Sequence, residues 1–408
     1  MFLVVLVDVL GFTIVIPLLA LYAESFDASP LTATLIVTCY AVCSLISTPI
    51  LGRLSDRYGR RPLLLISQAG TCAGFLVLGF STSLWMVFLG RILDGFTAGN
   101  LSLAQAYISD HTEPENRAKA FGIIGIAFGI GFMFGPALGG WLGDYGMHLP
   151  FLVAAGLSLL AMYCTYALLP KEEPHVLASA GEGPGGRRPG LLDFGTYAGY
   201  FRRPELRSLY VQFFLFSFAF SVFTSGFALF AERRFLIEEG GVLVPWGARE
   251  VGYLFAFSGV LGILWQGGLI GRLVKKYGEV RLVLAGFVAS VAGYVGLGLI
   301  PADRLVPLGL VAVVSSFGSG VLRPVLTSRI TKAVGPHEQG TAIGISGSLS
   351  SIALIAAPPT GGALLNQHWL LAWTLVPAAV SAIGLLFALV AGRHRPHHAP
   401  ESTETATA

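Results

Sequence analysis

Gly52-Arg53-Leu54-Ser55-Asp56-Arg57-Tyr58-Gly59-Arg60-Arg61-Pro62 returns, degraded, as Gly271-Arg272-Leu273-Val274-Lys275-Lys276-Tyr277-Gly278-Glu279-Val280-Arg281. Each copy lies between two long apolar runs. A basic, glycine-bounded turn at matching places in two halves of a hydrophobic chain is the pattern of a transporter built from two membrane-embedded repeats. Working outward from these turns, apolar stretches of roughly 18 to 25 residues predict spans at 2–22, 33–51, 63–80, 84–108, 118–140 and 150–169. A second set follows at 208–230, 251–270, 282–300, 307–330, 340–363 and 371–392. The expected fold is all-α and membrane-integral, with twelve helices in two six-helix halves.

Composition leads to the same class. Of 408 residues, 54% are hydrophobic and only 12% charged, with a mean hydropathy of +0.71. A soluble globule with a wet surface does not have this composition. The net charge of +3 is small, and its placement between apolar runs points to membrane topology instead of nucleic acid. Loops assigned inside carry Arg53, Arg57, Arg60, Arg61, Arg117, Lys119, Arg272, Lys275, Lys276 and Lys332, among others. Those assigned outside carry Arg233, Arg234, Arg249 and Arg304. The excess of basic residues places both termini in the cytoplasm of a plasma (inner) membrane protein.

The run Phe2 to Ala23 has no basic n-region and carries Asp8 and Pro17, so it is read as the first span and not as a cleaved leader. Domain boundaries follow: a six-helix bundle over 1–169, a Gly/Pro-rich cytoplasmic linker over 170–207, a second bundle over 208–392 and a cytoplasmic tail over 393–408. Leu191 to Arg207 is equally compatible with an interfacial helix or an extended tether. His394, His397 and His398 belong to a solvated tail, and no metal site or cofactor is expected. Cys39, Cys43, Cys72 and Cys164 lie in apolar runs without zinc or disulfide spacing. With no phosphate-cradling loop and no nucleophile elbow, an enzyme is not expected. Asn100-Leu101-Ser102 spells a glycosylation sequon but falls inside a span and is discounted.

The glycine-bounded turn resembles the loop signature of the major facilitator superfamily between its second and third spans. The resemblance extends over the whole chain and, within that superfamily, is to the drug/proton antiporters that include the tetracycline exporters. Asp8-x-x-Gly11 followed by Pro17 is similar to their first-span pattern, and Arg91-x-x-x-Gly95-x-x-x-Gly99 to their fourth-span motif. Gly131-x-x-x-Gly135-Pro136-x-x-Gly139-Gly140 matches the antiporter signature. The resemblance implies alternating access, a central cavity lined by spans one, four, seven and ten, and a role for Gly52, Asp56, Arg57, Gly59, Arg60 and Arg61 in holding one conformation. It implies a monomer whose partners are a small-molecule substrate, protons and the bilayer.

Physical chemistry adds roles. Gly52 and Gly59 are read as helix terminators. The span-five glycines strip side chains from a helix face so that another backbone approaches, and Pro136 permits a bend. Ionisable residues within apolar spans are Asp8, Arg91, Asp94 and Arg323. Each costs about 2.5–3.5 kcal/mol alone at a helix centre, so partners or a wet cavity are expected. Asp8 is assigned as proton carrier with Arg91 as counter-charge; the alternative is that Arg91 and Asp94, one turn apart, only neutralise each other locally. Ser217, Phe220 and Phe223 in span seven are assigned to a wall for a flat amphiphilic solute. A sugar, siderophore or metabolite carrier, and a non-transporting sensor or scaffold, stand as the alternative functions.

Overall fold

The computed structural model describes residues 1–112, 117–170, 199–301, 305–335 and 338–393. Most of the linker and the histidine-bearing tail lie outside the described residues, so their readings receive no structural account. Ten described helices are long and apolar enough to cross a membrane. The expected first and fourth spans differ, because each is a pair of shorter helices.

Span one comprises α1 (Phe2–Val15) and α2 (Leu19–Glu24). Pro17 sits at the join; it has no N–H to donate and its ring crowds the preceding turn, so the helical ladder stops there. Span two is α3 (Pro30–Tyr58) and span three is α4 (Arg60–Gly79). Gly52 therefore does not terminate a helix but lies inside α3. Gly59 alone makes the turn, at φ 95°, which an L side chain adopts only with strain. Span four comprises α5 (Leu84–Phe96) and α6 (Asn100–His111), and spans five and six are α7 (Arg117–Tyr145) and α8 (Leu149–Leu168).

The second half begins with α9 (Pro204–Arg234). An antiparallel hairpin that the hydrophobic pattern did not reveal then follows, β1 (Leu236–Glu239) with β2 (Val242–Pro245). Gly240 and Gly241 close it at φ 59° and 84°, the two positive values that a two-residue hairpin turn requires. Span eight runs through α10 (Ala248–Ile263), a π-helical turn at Leu264–Leu269 and α11 (Ile270–Tyr277). The remaining spans are α12 (Glu279–Leu299), α13 (Leu305–Lys332), α14 (Gln339–Asn366) and α15 (Leu370–Arg393).

Packing repeats between the halves. Span one packs on five and six, and span seven correspondingly on eleven and twelve; span three packs on four and six, and span nine on ten and twelve. Two helix pairs form most of the junction between the halves, α7 with α10 and α3 with α14, and α9 adds smaller contacts with α2 and α3. The seam is tightest near the hairpin. A Cβ added at Gly140 would stand 2.6 Å from the Ala248 carbonyl oxygen, and one at Gly259 would stand 2.5 Å from that of Phe132. Here one buried cluster unites Leu19, Tyr22 and Phe151 of the first half with Phe227, Phe230 and Trp373 of the second. Toward the Gly59 turn the halves part. The clusters there belong to one half each, and Gly268, Gly344 and Gly347 have no neighbour within 4 Å of an added Cβ among the described residues. The molecule is closed at the hairpin end and open at the other.

Candidate transport cavity

A cavity of about 340 Å³ lies within the first half, lined from five spans. Span one supplies Asp8 and Phe12, span two Tyr40, Ser44 and Thr48, and span three Gln68, Thr71 and Phe75. Span four adds Asp94, Asn100 and Gln105, and span five Phe128. On α4 the lining positions Leu64, Gln68, Thr71 and Phe75 recur at helical spacing, so a single stripe of that helix faces the space.

The break in span four shapes the site. Between α5 and α6 the residues Thr97–Gly99 leave helical hydrogen bonding, which in hydrocarbon is tolerated only where other groups satisfy the freed backbone. Hydroxyls from spans two and three do this. Ser47 Oγ donates to the Gly95 carbonyl at 2.7 Å and Thr48 Oγ1 to that of Ala98 at 2.8 Å. Ser67 Oγ donates to the Thr97 carbonyl and accepts from the Gly99 N–H at 2.9 Å. Asn100 is thereby held at the start of α6, where its Nδ2 donates to Asp8 Oδ1 at 2.7 Å and to Thr71 Oγ1 at 3.4 Å.

Of the two pairings the sequence allows, the structure holds the local one. Arg91, only 4% exposed, donates to Asp94 Oδ2 at 2.5 Å and lies 4.1 Å from the centroid of the Tyr40 ring. The three-residue helical spacing favours this pair. The counter-charge assigned to Asp8 is thus engaged by Asp94, and among the described residues Asp8 has no ion-pair partner. With all three groups ionised, Asp8, Asp94 and Arg91 sum to −1, and the charge without an ion-pair partner is that of Asp8.

The residues assigned from the second half do not line this cavity. Ser217 is buried against Ser350, with 3.5 Å between the hydroxyls. Phe220 stacks on Phe216, while Phe223 joins an aromatic cluster with Phe227, Phe255, Tyr294 and Trp373. Arg323 is exposed on α13 and has no ion-pair partner among the described residues. The sequence reading missed Asn100, Gln68, Thr71 and Tyr40. It searched for charges, and the available signal was uncharged polar residues placed inside apolar runs.

The span-five glycines meet two different helices. Gly131, Gly135 and Gly139, four residues apart, lie against span one, where a Cβ at Gly131 would stand 2.6 Å from Val9 Cγ1. Thr13 Oγ1 donates across this contact to the Gly131 carbonyl at 2.9 Å. Gly140 faces the other half, and the carbonyl of Pro136 abuts Gly252. At the loop motif, Arg60 is 5% exposed and binds Asp56 Oδ1 at 2.5 Å, Asp110 Oδ2 at 2.8 Å and Ser55 Oγ at 2.5 Å. Arg61 donates to the Tyr166 carbonyl at 2.6 Å, and Arg57 lies over the Tyr58 ring.

A two-repeat helical bundle with broken helices around a charged interior cavity defines a multi-pass membrane transporter fold. Comparison with known proteins gives the family. The family model described as Major Facilitator Superfamily matches residues 1–349 and 246–408, and the chain belongs to that superfamily. It is 30% identical over 373 residues to "Tetracycline resistance protein, class B" of Escherichia coli, covering 91% of this chain and 88% of that one. It is 26% identical over 380 residues to "Multidrug resistance protein 2" of Bacillus subtilis, covering 90% and 88% respectively. Among solved structures, the human organic anion transporter MFSD10 (TETRAN) superposes with a TM-score of 0.66 at 24% identity, over 95% of this chain and 97% of that one. The similarity in structure bears on the fold alone.

Proposed function

We propose that the chain is a proton-coupled efflux antiporter for amphiphilic, drug-like solutes, working by alternating access. The observation that carries this reading is the unpaired Asp8 carboxylate in a cavity whose other carboxylate is neutralised by Arg91. A buried site of net charge −1 is satisfied either by a proton or by a cationic group on a solute. Because each excludes the other, the coupling is exchange. The driving term is about 2.3 kcal/mol per charge per 100 mV of membrane potential. The names of the relatives, tetracycline and multidrug resistance proteins, support the same class of substrate.

In this reading the protein sits in the plasma (inner) membrane as a monomer with both termini cytoplasmic. Its two six-helix bundles are joined by the 170–207 linker. The Gly59 turn then faces the cytoplasm, and the structure corresponds to an inward-open state. The test is reconstitution in vesicles. Substrate-evoked proton release is expected in the wild type and absent in Asp8→Asn; undiminished exchange in a correctly inserted Asp8→Asn would falsify the assignment.

A further inference from the structure

Gln68 is fully buried (0% exposed), lines the cavity, and among the described residues neither its Nε2 nor its Oε1 has a hydrogen-bond partner. A buried side-chain amide without partners is unusual, because it forfeits the hydrogen bonds it made to water in the unfolded chain. The surrounding polar groups are already committed. Thr71, one turn along the same stripe of α4, accepts from Asn100, and Ser67 is used on the break in span four. Asn100 directs its Nδ2 to Asp8 and Thr71, which leaves its Oδ1 as a third atom of the cavity lining, after the two of Gln68, with no partner among the described residues. Phe12, Phe75 and Phe128 supply apolar walls to the same space.

We propose that Gln68 and the Asn100 carbonyl oxygen form a substrate-reading subsite for a donor and an acceptor held side by side, as in a primary carboxamide or a lactam. An amide presents N–H and C=O edge to edge, so it pairs in complementary fashion with such a group, and the Asn100 oxygen accepts one further N–H. The subsite deepens the export reading and rests on it. The Asp8 carboxylate decides charge and proton coupling, whereas Gln68 decides which uncharged polar group is retained. Asn100 bridges the two functions, since one side chain both orients Asp8 and offers its oxygen to the solute. Discrimination arises because a solute that lacks the pair leaves the buried amide without its hydrogen-bond partner.

The test uses full-length protein in lipid nanodiscs, titrated with tetracycline and with its nitrile analogue, in which a cyano group replaces the primary carboxamide. Wild type is expected to prefer tetracycline by about ten-fold or more. In Gln68→Met, of similar length but without polar atoms, the preference should fall below about two-fold. Gln68→Leu, which also removes both polar atoms without adding a charge, provides a second variant if the first does not fold. Proton-coupled export of ethidium is measured in parallel, because it depends on Asp8 and not on the subsite. Ethidium export with no carboxamide preference in wild type, or with an unchanged preference in both variants, overturns the subsite alone. Absence of both binding and export overturns the transport reading and the subsite together.

Discussion

The two copies of the glycine-bounded turn differ in sequence far more than in construction. Gly59 and Gly278 both take positive φ, 95° and 77°, between a helix that ends and one that begins. In the first copy, Arg60 reaches Asp110 at the end of span four. In the second, the corresponding position is Glu279, which binds Lys332 Nζ at 2.7 Å at the end of span ten and accepts from Ser328 Oγ at 2.7 Å. The bridge between neighbouring spans is retained with its polarity reversed. What differs is depth: Arg60 is 5% exposed, whereas the Lys332 side chain is 66% exposed. The halves differ inside as well: the cavity bearing Asp8 and Asp94 belongs to the first, whereas Phe223, Phe255 and Tyr294 of the second gather in an aromatic cluster.

The largest expected effect divides the halves by function. Asp8→Asn should reduce proton-coupled export to background, while Arg323→Gln, in the tenth span, should retain it. Flux assays on matched expression levels decide this, and equal losses would break the asymmetry. Next comes the turn itself. Arg60→Ala removes the buried partner of two carboxylates and should destabilise by about 3 kcal/mol, whereas Lys332→Ala should cost less than about 1 kcal/mol. Thermal unfolding in detergent reads the difference. The double change Arg60→Glu with Asp110→Lys copies the second half into the first; recovery of part of the loss sharpens the claim of a reversed bridge, and a further loss removes it.

The third comparison is between the two ends of the seam. Gly140→Leu overfills a backbone contact and should cost about 1–3 kcal/mol, with transport impaired, whereas Gly268→Leu meets open space in this state and should leave folding unchanged. Equal destabilisation would contradict the parting of the halves. The smallest effect concerns the surface. Arg203 hydrogen-bonds Glu338 at 2.9 and 3.1 Å and holds its carboxyl below the ordinary carboxylate value of 4.5. A depressed folded-state value means that this contribution is present above the unfolded pKa and is lost as pH falls through the folded one. Wild type and Glu338→Gln should therefore diverge slightly in unfolding temperature at neutral pH and converge in acid; a gap that widens in acid would reverse the sign.

Much of this was legible before the coordinates. Membrane class, the repeat, the positions of the long spans and the importance of the span-five glycines follow from apolar run length, recurrence and missing side chains, which are local properties of the chain. Asp8 and Asp94 were visible for the same reason, since charge is conspicuous in an apolar run. The Arg91–Asp94 pair was legible as a three-residue helical spacing; what the sequence did not decide was whether Asp94 or Asp8 is the partner, and the packing gives Asp8 to Asn100 instead. The break in span four was invisible because hydroxyls from two other spans stabilise it. No local signal at Thr97–Gly99 records Ser67, Ser47 or Thr48. Gln68 and Asn100 read as ordinary polar residues until the packing shows which of their atoms have no partner. The amino-acid sequence by itself determined solvent, repeat and span order, which depend on composition and period. Tertiary structure decided pairing, the location of the cavity in one half and the open end, because these depend on which distant helices come within hydrogen-bonding distance.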